Sequence, residues 1–148
     1  MFKRILLLVD STEATAAAAE CAISLAKLCG ADLIALSVVD TETLKELLTY
    51  KIMVAEEMEE YEKELEHSGR RQLALVEEQA RKAKVDVEAV HKKGSAHSVV
   101  LAQQASTGAD VIVVSGFRPS VIKRDLLARE KQLILDEATC AVIVVKKK

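Results

Sequence analysis

The residues best placed to do chemistry lie between Ala109 and Arg129. The segment ADVIVVSGFRPSVIKRDLLAR opens as an apolar run, Val111–Val114, breaks at Ser115-Gly116-Phe117-Arg118-Pro119, and resumes with helical spacing. Where a strand feeds a loop and the loop feeds a helix N-terminus, unpaired amides and the helix dipole converge on one spot that holds phosphates. Ser115, the amides of the loop at Gly116, and the guanidiniums of Arg118 and Arg129 are the groups able to bind such an anion. A phosphate cradle favours glycine, because without a Cβ the backbone can touch the ligand. This loop has one glycine, beside an arginine and a proline. The frame is that of a nucleotide site and the lining is altered. The alternative for both arginines is an ordinary surface position.

Other side-chain chemistries find little footing. His67, His91 and His97 show no ligand spacing such as His-x-x-x-His, and no Ser or Cys sits in a Gly-x-Ser-x-Gly elbow. His97, between Ser95 and Ser98, reads as part of a capped helix start. Cys21, Cys29 and Cys140 are an odd count without a Cys-x-x-Cys pair, which fits reduced, packed thiols in a cytosolic protein. Cys21 and Cys29 share a helix face at that spacing, so a metal or redox role is the alternative.

Composition narrows the partners. A net charge of −2 leaves no basic field for DNA or a membrane surface, and 3% aromatic residues give no stacking platform for single strands. Lys146-Lys147-Lys148 reads as a solvated tail. The longest early apolar run, Ile5–Val9, has five residues, whereas a membrane span needs roughly 20. The 148 residues suit one domain, 1–148, with a single core that 50% hydrophobic residues can fill.

The elements follow from periodicity. Phe2–Val9 is too short and apolar for a helix and reads as a buried strand. Asp10-Ser11-Thr12 offers caps for an alanine-rich helix, Glu13–Leu28, whose Ala14, Ala17, Cys21, Leu25 and Leu28 recur at helical spacing; Gly30 ends it. Asp32–Val39 is a second strand. Residues 41–84 form a long charged helical region, expected to fray or turn near His67-Ser68-Gly69, with the acidic run Glu56–Glu66 on a solvated face or an arm for a partner. Val85–His91 alternates and reads as a third strand near a sheet edge. A helix from Ser95 to about Ser106, strand Val111–Val114, helix Ser120–Ala138 and strand Cys140–Val145 complete the chain.

Five strands alternating with helices imply an α/β fold: a single doubly wound, five-stranded parallel sheet with helices on both faces. Ligands of such sheets sit beyond the carboxyl ends of the strands, where the winding reverses. With strand one central, the reversal falls between strands one and four and brings Asp10 to the Ser115–Pro119 loop.

The chain resembles the universal stress protein family along nearly its whole length. KRILLLVDSTEATAAAAECAISLA is similar to the family's first strand, aspartate and helix, and ADLIALSVVD to its second strand. VHKKGSAHSVVLAQQASTGADVIVV is similar to its glycine turn, helix and fourth strand, and CAVIVVK to its closing strand. The specificity lies in their order and spacing. The resemblance implies a Rossmann-like sheet of the nucleotide-binding alpha hydrolase type. It also implies a homodimer through the last strand, Ala141, Val142, Ile143, Val144 and Val145, an apolar edge fit for pairing.

ATP-binding members of that family carry Gly-x-x-Gly, nine residues, then Gly and Ser or Thr after strand four. Laid on this chain without gaps, those positions are Ser115, Arg118, Ala128 and Arg129. A one-residue shift gives Gly116, Pro119, Arg129 and Glu130 and recovers one glycine. By the same resemblance Asp10 matches the aspartate at the adenine end, Val38 an apolar residue beside the base, and Gly94 the turn glycine, while Leu8 replaces a common proline. Asp10 has a second reading as a helix N-cap.

Two functions follow. One is a cytoplasmic, non-catalytic homodimer of the class without the glycine motif, acting in stress response through unidentified protein partners, with no firm cofactor, no nucleic acid and no membrane. The other is an ATP- or adenine-nucleotide-binding member with a non-standard phosphate loop and slow hydrolysis, using Asp10, Val38, Ser115, Gly116, Arg118 and Arg129.

Overall fold

A computed structural model describes residues 1–10, 14–116 and 122–146, without the side chains of 122–127. The chain runs β1 (Arg4–Val9), α1 (Thr15–Cys29), β2 (Asp32–Asp40), α2 (Thr41–Thr49), α3 (Ala55–Lys82), β3 (Val87–Gly94), α4 (Ala96–Thr107), β4 (Val111–Ser115), α5 (Ile122–Glu137) and β5 (Ala141–Val145). The strands form one parallel sheet in the order β3-β2-β1-β4-β5. β1 is therefore central, and the winding reverses between β1 and β4. Among the described residues, no helix is long and apolar enough to cross a membrane.

Alternation along the inner strands divides the core into two layers. Ile5, Leu7 and Val9, with Leu33, Ala35, Val111 and Val113, face α1 and α3. Leu6 and Leu8, with Ile34, Leu36, Ile112 and Val114, face Val100 of α4 and Ile134 of α5. Both faces are covered, so these strands carry unbroken apolar runs. The α1 surface is built of alanine, which lets the helix lie close to the sheet.

The buried face of α1 is Ala18, Ala19, Ala22, Ile23 and Ala26. It lies beside the expected stripe, and Leu28 is 85% exposed. The two apolar stripes overlap in sequence, and packing against the strands selects between them. Gly30 adopts φ 63° past the end of α1, and its N–H closes on Ala26.

The expected break near His67-Ser68-Gly69 is absent. α3 passes through Gly69 without interruption, and the helical region divides instead at residues 50–54. There the Lys51 N–H bonds to Leu48 and the Ile52 N–H to Leu47, with Lys51 at φ 57°, a Schellman ending made without glycine. The end of α3 repeats it: Lys84 has φ 60°, its N–H bonds to Arg81, and the Val85 N–H bonds to Ala80. Val85 is spent on that ending, so β3 starts at Val87 and continues to Gly94 beside the long β2, later than the expected Val85–His91.

Candidate functional site

β1, β2 and β4 end together at one edge of the sheet, and two polar clusters fill the crevice there. Both are anchored by consecutive residues of α5, Glu130 and Lys131, which are buried.

The first cluster joins β1, β4 and α5. The Ser115 hydroxyl donates to Asp10 Oδ2 at 2.6 Å. Lys131 Nζ lies 2.7 Å from the same Asp10 oxygen and donates to Ser115 Oγ at 2.8 Å and to the Ser115 carbonyl at 3.1 Å. A buried ammonium is tolerated only with an anion and further acceptors, and this arrangement supplies both. The Asp10 N–H donates to Thr15 Oγ1 at 3.1 Å, while the N-cap position of α1 falls on Ala14, which offers no side-chain cap.

The second cluster joins β2, α2, α4 and α5. Asp40 accepts the Thr43 N–H at 2.8 Å and the Ala96 N–H at 3.1 Å, so one carboxyl serves the first turns of two helices. Glu130 accepts from Ser95 Oγ at 2.9 Å and lies 2.9 Å from His97 Nδ1. Burial, with the Glu130 charge adding to it, pushes the Asp40 carboxyl above its usual range against the pull of the Thr43 and Ala96 N–H groups. Burial also works to raise Glu130, but hydrogen bonds from His97, Ser95 and Asp40 outweigh it and hold Glu130 below the ordinary value.

A cavity of about 100 Å³ opens beside these clusters. Leu8, Val38, Leu44, Leu47, Tyr61 and Ile134 form its apolar wall, and Asp10, Asp40, Glu130 and Lys131 its polar side. Clefts that enclose drug-sized ligands run to roughly 300–1,000 Å³.

The crevice thus brings together Asp10, Val38 and Ser115, but not all of the sequence candidates. Gly116 is turned to β5: its N–H donates to Val145 at 2.7 Å, and a Cβ there would stand 3.3 Å from the Lys146 backbone. Arg129 is exposed and donates from one guanidinium nitrogen to both carboxylate oxygens of Glu46 of α2, at 2.8 and 2.9 Å. Arg118 lies outside the described residues, as do Ser11, Thr12 and Pro119. β5 is an edge strand, with Val142–Val145 half-buried and Ala141 exposed.

Asp40, Glu130 and Lys131 escaped the reading by motif. A signal was present, because Leu127, Glu130, Lys131 and Ile134 follow helical spacing and set two charges inside an apolar stripe. Among the described residues, no group of His, Cys, Asp and Glu is arranged to hold a metal ion.

No curated protein matches the chain in sequence. Solved structures do match in fold. A hypothetical protein whose biochemical function was assigned from its structure is 20% identical with a TM-score of 0.75, covering 100% of this chain and 98% of its own. A universal stress protein in complex with cAMP is 17% identical with a TM-score of 0.67, covering 98% and 97%. A universal stress protein family protein from Arabidopsis thaliana with AMP bound is 15% identical with a TM-score of 0.69, covering 99% and 92%. The universal stress protein family model matches residues 1–146, and with the sheet order and crevice described above the chain belongs to that family.

Proposed function

We propose that this protein is a non-catalytic, cytoplasmic member of the family that acts as a homodimer through protein contacts. One observation carries the reading: the crevice is occupied by the chain's own cation, Lys131, bound to Asp10 and Ser115. The positions that align with the phosphate glycines carry Ser115, Arg118 and Ala128, and Arg129 follows them paired to Glu46. The half-buried apolar edge of β5 supports pairing of two copies through Ala141–Val145. Cys21, Cys29 and Cys140 are free thiols, which supports a reducing compartment.

A second reading has an adenine nucleotide in the crevice. Asp10 and Val38 both line the cavity, and two structures of like fold hold AMP and cAMP. It requires Lys131 to release Asp10 or to turn its ammonium to phosphate.

Thermal unfolding with and without millimolar ATP and magnesium, AMP or cAMP separates the two. A ligand at about 100 times its Kd stabilises by roughly 2.7 kcal/mol, a rise of a few degrees in a chain of this size. We expect no rise with any of the three. A clear rise that Asp10→Ala removes would establish the second reading.

A further inference from the structure

α3 is seated unevenly. Its C-terminal half sends Leu73, Val76 and Ala80 into the main core. Its N-terminal half covers a small cluster at Leu44 and Leu47 with Met58, Tyr61 and Leu65. Tyr61, Leu65 and Gly69 also wall the cavity. The halves meet at Gly69, where the helix lies so near the sheet that a Cβ would collide with Ser37 Oγ and stand 3.2 Å from His91 Cε1.

Beneath that point both ring nitrogens of His91 are shut from solvent and, among the described residues, have no hydrogen-bond partner. A neutral imidazole carries one donor and one acceptor, an imidazolium two donors and a charge. Leaving the first pair unmade is costly, and leaving the charge dry is costlier. The charged groups facing His91 are Arg70 and Glu66 from α3 and Lys93 from β3, while β2 contributes Ser37. Arg70 and Lys93 oppose a positive ring. Glu66 favours it but is already shared, 3.6 Å from Arg70 and 3.5 Å from Lys93. With α3 seated, an imidazolium finds neither water nor an unshared anion.

We propose that the N-terminal half of α3 is a proton-operated lid over the cavity, lifted as far as Gly69 when His91 takes a proton. Raising the helix at Gly69 lets water reach His91 and withdraws Tyr61 and Leu65 from the cavity, so proton uptake and cavity access are one event. Burial first, and then Arg70, makes His91 a weaker base when the lid is seated than when it is raised. The seated lid therefore holds its full advantage above the free histidine value of about 6.5 and loses it as pH falls through that range.

Hydrogen exchange by mass spectrometry on the full chain, corrected for the intrinsic effect of pH, tests this between pH 8 and 5. We expect residues 55–68 to lose protection by about threefold or more relative to residues 73–82 as pH falls, and the His91→Phe variant to show no such loss. The same loss in both proteins, or none in the wild type, overturns the proposal. Should His91→Phe fail to fold, NMR titration of the wild type serves instead. His91 is then expected to titrate below a free histidine, with the Tyr61 ring signals moving at the same midpoint. A His91 midpoint at the free value, or Tyr61 signals indifferent to it, overturns the lid.

Discussion

A lysine ammonium taken out of water has to keep an anion beside it, and Lys131 keeps Asp10 at 2.7 Å. Removing the cation leaves the half-enclosed Asp10 carboxylate without its ammonium. Lys131→Ala should lose roughly 3 kcal/mol of stability in a urea titration. The double variant Asp10→Asn with Lys131→Met removes both charges and should lose less than the sum of the single changes. Additive losses would show that the pair contributes nothing as a pair. The same contact explains why a match of Asp10 to a ligand-binding aspartate does not by itself indicate an open site. Its carboxylate was legible at the end of β1; the partner, 121 residues later in sequence, was not.

Among the elements, α3 shows how one residue type serves two opposite ends. In sequence, Gly69 beside Ser68 and His67 reads as a weak point, since glycine costs a helix about 1 kcal/mol relative to alanine. In the fold it lets α3 lie so near Ser37 and His91 that a Cβ would have no room. Gly69→Ala sets these against each other. Helix propensity alone would stabilise the variant, whereas a Cβ pressed on β2 and β3 forces the helix outward. We expect a net loss of stability in chemical denaturation. A gain near 1 kcal/mol would mean that the contact yields freely. The divisions actually present were hidden because lysines, Lys51 and Lys84, take the left-handed positions where glycine is the usual signal.

For the whole molecule, the sheet order leaves β3 and β5 as edges. β3 carries Lys92 and Lys93, charges that discourage further pairing, whereas β5 is uniformly apolar from Ala141 to Val145. The two edges are therefore unequal, and association should use the second. Light scattering should give twice the chain mass. Because Val144 is only half-buried in one copy, Val144→Lys can keep its head in water and should give monomer with an unchanged circular dichroism spectrum. A dimer that survives this change would place the interface elsewhere.

The sequence alone determined the strands, their parallel arrangement and the edge at which the crevice lies. Those follow from local physics: apolar runs too short for helices, amphipathic spacing between them, and the winding rule for strands joined by helices. Asp10 and Ser115 were found because they stand at strand ends, where the fold class alone fixes the position, whereas Val38 came from the family resemblance. Only the tertiary structure decided what those residues face. Helix rotation sets whether Glu130 and Lys131 point to solvent or into the crevice and whether Arg129 meets Glu46, while pairing of β4 with β5 turns Gly116 away from the crevice. Such rotation is settled by packing between elements far apart in the chain, and no local pattern encodes it.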